Sequence, residues 1–203
     1  MNTIKDTGAN MKENFFKANR KAILKLMLTH LVVTIFGLMV FIPFNLDDKS
    51  MQAFLVIGGV FAVGLYMFLI DVDMWYLGAE DKLRVDAGKQ SRSPAKGLLI
   101  GLVAEIPSFV IGAIFVISYY LYRYYGAYES GAFFASAEAI TIAVNLLWNG
   151  MYHGISTVIF GGWFSWFYLF IPLLPVSFAG LTCWLGLNGS AFLKPPAREK
   201  KQK

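Results

Sequence analysis

Residues 97–120 read GLLIGLVAEIPSFVIGAIFVISYY, with Glu105 as the single charged residue in the run. At a rise of 1.5 Å per residue, a run of this length forms a helix of about 36 Å, enough to cross the roughly 30 Å hydrocarbon core of a bilayer. The stretch therefore reads as a membrane span, and the rest of the chain is interpreted around it.

Three further runs have the same character, at 22–44, 53–77 and 163–187. The chain has 203 residues, of which 57% are hydrophobic and 15% charged, a balance outside the range of soluble domains. The first run is too long for a signal-peptide core and lacks a small-residue cleavage site after it, so it reads as an uncleaved span. Pro43 and the NLDDKS stretch close it. Trp75 and Tyr76 near the end of the second run, and the tyrosines from Tyr119 to Tyr128, fall where interfacial aromatic belts form. Pro172 and Pro175 lie inside the last run and remove backbone donors, which predicts a kink there.

The expected fold class is all-α, a polytopic transmembrane helical bundle with four spans and a fifth in question. The segment in question is 138–160, which is long enough to cross but carries Glu138, Asn145, Asn149 and His153. Of the 18 Lys and Arg residues, six belong to the N-terminal segment through Lys25, five to the 78–97 connection and five to the tail after Leu187; only Lys49 and Arg123 remain. With four crossings, 16 basic residues share one side, the pattern of a cytoplasmic face. A fifth crossing would export the tail containing Lys194, Arg198, Lys200, Lys201 and Lys203. The charge count thus favours an outer-face amphipathic or re-entrant helix for 138–160, and it places both termini in the cytoplasm. The resulting organisation is a basic N-terminal segment at 1–21, a transmembrane domain at 22–189 and a basic tail at 190–203. Phe15 and Phe16 among Lys12, Lys17, Arg20 and Lys21 suit a helix at the membrane surface.

Two groups of polar residues are candidates for function. Glu105 lies eight residues into its span, about 12 Å along the helix and so within the hydrocarbon. Gly97, Gly101, Ser108 and Gly112 share its face, and such small-residue stripes are where membrane helices meet. Asp71, in line with Gly64 and Gly78, and His30 in the first span fall at comparable depth. Asp71, Glu105 and His30 are therefore the candidate intramembrane polar site, suited to binding a cation or exchanging a proton. Interfacial wetting of Asp71 and His30, with Glu105 bonding across helices, is the structural alternative. Glu138, Asn145, Asn149 and His153 form the second candidate, an outer polar stripe facing headgroups.

Catalytic chemistry finds no parts. Neither HExxH, GxSxG, Walker nor CxxC spacing occurs, and the two histidines fall on opposite sides, so no enzyme, catalytic residue, metal or cofactor is expected. The single cysteine, Cys183, excludes an intramolecular disulfide and reads as a small buried hydrophobe. The net charge of +5 sits beside the apolar runs, where it serves orientation and contact with anionic lipid rather than nucleic acid. The expected partners are the lipid bilayer, including anionic lipids, and then another membrane protein or a second copy of the chain.

GAEDKLRVDAG before the basic loop, GLLIGLVAEIPSF opening the third span and GLTCWLGLNG closing the last one resemble small uncharacterised bacterial multi-pass membrane proteins of about this length. The resemblance covers about half of the chain. It implies a helical fold in a bacterial cytoplasmic membrane and no particular activity. On these grounds a structural or accessory membrane component ranks first, and a small transporter or permease component with a proton- or cation-linked site second.

Overall fold

Apolar side chains on every face force the backbone groups of each run to bond within the run, so the chain forms long helices where the sequence lacks polar breaks. The computed structural model describes residues 3–41, 49–126, 131–159 and 166–191, with side chains described at 15–39, 52–126, 131–159 and 166–191. Lys12, the 42–48 part of the first connection, Tyr128, Trp163 and the tail from Lys194 to Lys203 lie outside the described side chains. The helices are α1 (Thr3–Phe41), α2 (Lys49–Asp86), α3 (Lys96–Ala104), α4 (Ile106–Tyr125), α5 (Gly131–Asn149), α6 (His153–Ile159), α7 (Phe167–Phe170) and α8 (Leu173–Asn188). A 3-10 turn, Gly150–Tyr152, joins α5 to α6.

Five helical segments are long and apolar enough to cross a membrane: Phe15–Met39, Gln52–Asp86, Ile106–Tyr125, Gly131–Ile159 and Phe167–Asn188. Cross-helix contacts fix how each one runs. The α1–α2 pair is antiparallel, tied by Lys25 to Asp73 at 2.5 Å, His30 beside Tyr66, and Phe36 beside Phe61. The end of the bundle near Lys25 and Asp73 is called the base. Lys96 of α3 also lies there, its Nζ donating to Asp81 of α2 at 2.8 and 2.9 Å, as do Trp75 and Ser190, joined by an indole-to-carbonyl bond. At the other end, the apex, Tyr125 stacks on Phe134 and Trp166 donates to Tyr120.

The fourth segment does not traverse this bundle. It descends from the apex along α4, with Thr141 bonded to Ser118 and Trp148 to Ser108. The Trp148 carbonyl reaches the His30 level of α1, but Met151 already packs on Gly37 and Gly150 on Leu38. Gly154 and Ile155 then meet Leu55 and Gly59, near the apical start of α2. Asn149, at φ −111° and ψ 16°, begins the reversal, and α6 leads back toward the apex. Four segments cross the bundle, one turns back within it, and the described parts of α1's N-terminal half and α8's C-terminal end share the base.

The small-residue stripe of α3 and α4 is an interface within the chain. Gly97 packs on Cys183 and Ala179, Gly101 on Ala179 and Val176, and Gly112 on the Tyr168 backbone. Gly78 of α2 likewise meets the Cys183 carbonyl, and Gly186 of α8 meets that of Trp75, so α2 and α8 touch along their backbones. Gly64, grouped with Gly78 by its spacing, meets nothing within 4 Å. Cys183 is buried, 3% exposed. The last helix closes at Gly189, φ 76°, where Gly189 N–H donates to Gly186 and Ser190 N–H to Leu185, satisfying the terminal carbonyls.

Candidate functional site

Three of the segments are interrupted, two of them at a proline. Pro107 cannot donate to Val103, and the helix breaks at Glu105, φ −92° and ψ 1°, between α3 and α4. Pro172 separates α7 from α8 in the same way, at the kink predicted from the two prolines. The third interruption is the α5–α6 turn. Their depths coincide. Tyr168 packs on Gly112 and Val176 on Gly101, so Pro172 lies level with Glu105, while the Trp148 carbonyl lies level with His30.

At that level sits a buried network built on Glu105, which is 2% exposed. Its Oε1 accepts from the Tyr66 hydroxyl at 2.6 Å and faces His30 Nδ1 at 3.1 Å. Its Oε2 accepts from Ser108 Oγ at 2.6 Å, and Ser108 in turn accepts the Trp148 indole N–H at 2.9 Å. His30 Nε2 lies 2.8 Å from the Trp148 carbonyl. A carbonyl only accepts, so Nε2 carries a proton. The proton between Nδ1 and Glu105 is then the one that can reside on either partner, as an imidazolium–carboxylate pair or as two neutral groups. Both arrangements have no net charge, which is what a low-dielectric interior requires of buried ionisable groups.

The Trp148 carbonyl belongs to the last turn of α5, where carbonyls lack helical partners. His30 and Thr34, the latter at 2.9 Å, bind it instead, so α1 caps the interrupted helix. The His30 ring is further fixed by stacking on Trp148, centroids 5.5 Å apart, and by the Tyr66 edge at 5.2 Å.

His30 and Glu105 are thus brought together as their depths indicated, and Asp71 is not. Asp71 lies five residues beyond Tyr66 toward the base, on the face of α2 that carries Trp75 and Gly78 against α8. It is 6% exposed, takes no part in the network, and its Oδ1 has no hydrogen-bond partner among the described residues. The members that the sequence reading missed are Tyr66, Trp148 and Thr34. Tyr66 follows once α1 and α2 are set antiparallel in the His30 register. Trp148 and Thr34 depend on the reversal of α5, which no local pattern specifies.

The outer stripe also requires correction. Asn145 and Asn149 are fully buried and His153 is 5% exposed, so these three face the interior of the bundle rather than headgroups; only Glu138 stays half-buried nearer the apex. Asn149 Nδ2 donates to Asn145 Oδ1 at 2.8 Å, and His153 Nδ1 bonds the Tyr168 hydroxyl at 2.9 Å. The reversal of the chain turns what would be an outward stripe on a straight helix into an internal one.

Among the described residues, no group of three or more His, Cys, Asp or Glu side chains is placed to hold a metal ion. No family model matches the chain, and neither a curated protein nor a solved structure matches it.

Proposed function

We propose that this chain is a multi-pass protein of a cytoplasmic membrane that conducts protons through the polar network centred on His30 and Glu105. The carrying observation is that the His30–Glu105 pair sits at the depth where three helical segments are interrupted. Interrupted helices at mid-membrane depth cost backbone hydrogen bonds, and they are tolerated where they are buried in protein or line a polar path. Ionisable residues at this depth are functional candidates by default.

An accessory role, which the sequence ranks first, would use the small-residue faces and the basic loop to hold a partner. The stripe of α3 and α4 is occupied by α7 and α8 of the same chain, which leaves the basic loop to support that role. For orientation, the base carries every described Lys and Arg side chain except Arg123, which supports a cytoplasmic base with both ends of the chain on that side. The α5–α6 turn is then a re-entrant segment opening to the outer face.

The test uses the purified protein in liposomes loaded with a pH-sensitive dye, with a potassium diffusion potential imposed through valinomycin. Proton entry above that of protein-free liposomes is expected, reduced at least about tenfold, or some 1.4 kcal/mol in barrier, by Glu105→Gln in a folded variant. Wild-type vesicles indistinguishable from empty ones overturn the reading.

A further inference from the structure

The turn between α5 and α6 holds three buried polar atoms that the network leaves aside. Asn145 Nδ2, Asn149 Oδ1 and the Tyr152 hydroxyl have no hydrogen-bond partner among the described residues. All three side chains are essentially inaccessible, at 0%, 0% and 1% exposure. Asn145 and Asn149 lie four residues apart at the end of α5 and are bonded to each other, and Tyr152 ends the 3-10 turn that follows them. Turning both amides over changes nothing, because one Asn–Asn hydrogen bond always leaves one amide N–H donor and one amide oxygen unpaired.

The inventory identifies the ligand. An amide donor, an amide acceptor and a hydroxyl that can act as either match the two donors and two acceptors of water, and buried waters typically make about three such bonds. A cation would be repelled by the Asn145 N–H groups, and an anion by the Asn149 oxygen. An apolar ligand would leave all three atoms unsatisfied.

We propose that an internal water is held at the α5–α6 turn by Asn145, Asn149 and Tyr152, and that it joins the His30–Glu105 network to the His153–Tyr168 pair. On one side, the Tyr152 ring lies 6.5 Å from that of His30, centroid to centroid. On the other, His153 follows Asn149 by four residues, with Nδ1 on Tyr168 and Nε2 facing Thr157 at 3.3 Å. A proton accepted by the water on one side is matched by one released on the other, so the water is unchanged after each transfer. The link rests on the proton-transport reading; the water site does not.

Isotope-labelled full-length protein in liposomes, studied by water-edited solid-state NMR, tests the site directly. Magnetisation transfer from water to the Asn145 side-chain amide is expected in wild type and is expected to be lost in Asn149→Leu. If that variant folds poorly, Tyr152→Phe, which removes the hydroxyl and leaves the Asn145 amide in place to report, serves instead. No transfer to Asn145, with transfer to half-buried Asn188 at the base intact, overturns the inference whether or not the protein conducts. In the vesicle assay, Asn149→Leu is expected to slow proton entry at least tenfold, and Asn149→Ser, which leaves room for water, to stay within threefold of wild type. Unchanged flux in Asn149→Leu overturns the link. Wild-type protein with the water signal but no flux overturns both the link and the transport reading, and it supports the site.

Discussion

Replacing Glu105 by Ala removes the acceptor for three buried donors at once: the Tyr66 hydroxyl, the Ser108 hydroxyl and His30 Nδ1. At about 1–3 kcal/mol for each buried donor left without a partner, the ceiling is roughly 3–9 kcal/mol. Relaxation lowers it. Tyr66 lies 3.3 Å from His30 Nδ1, so with the carboxylate gone a neutral imidazole accepts from the tyrosine and two of the three donors are settled. The donor left over is the Ser108 hydroxyl, so the expected loss is about 1–3 kcal/mol. Glu105→Gln keeps the shape and an acceptor oxygen and should lose only about 1–2 kcal/mol. Because His30 and Glu105 share these partners, the double replacement by Ala should fall short of the sum of the singles by about 1–3 kcal/mol. Reversible unfolding in mixed micelles by titration with dodecyl sulfate measures these differences. Near-UV circular dichroism suits the readout, since Trp148 stacks on His30. A Glu105→Ala variant within about 1 kcal/mol of wild type would refute the proposed role of the carboxylate as the common acceptor.

The backbone contact between α2 and α8 gives a paired test. Gly78→Ala places a methyl against the Cys183 carbonyl and should lose about 1–3 kcal/mol or more, whereas Gly64→Ala, with nothing within 4 Å, should gain about 0.5–1 kcal/mol; the same titration measures both. Cys183 should react with a maleimide at least about tenfold more slowly than a cysteine placed at exposed Ser91, until denaturant equalises them, because modification requires local opening. In a Cys183→Ala background, cysteines at Ser91 and Ser190 should be labelled from the cytoplasmic side and one at Tyr124 from the opposite side. Labelling of Ser91 and Ser190 from different sides would break the four-crossing topology.

The sequence by itself determined where helices form, because uninterrupted apolar runs leave the backbone no partners outside the helix in a bilayer. It also placed Glu105 and His30 at one depth, since helical rise is constant and neighbouring spans alternate in direction. The kink at Pro172 was likewise local, following from a missing N–H. The reversal of 131–159 was not local: the charge count over the whole chain favoured an amphipathic or re-entrant segment at 138–160, but it did not place the turn. The 29 residues of 131–159 are apolar enough to cross, and the turn at Asn149 is held by Gly37, Leu38 and Leu55 of two other helices and by the α1 side chains that cap the Trp148 carbonyl. That reversal is what turned Asn145, Asn149 and His153 inward and brought Trp148 onto His30. Asp71 illustrates the same division. Its depth was legible from the helix rise, but its exclusion from the network depends on which face of α2 meets α8, which is settled by the close approach of Gly78 and Gly186 to the opposing backbone. Depth is a property of one helix and can be counted along it; contact depends on how several helices pack, and only the tertiary structure decided it.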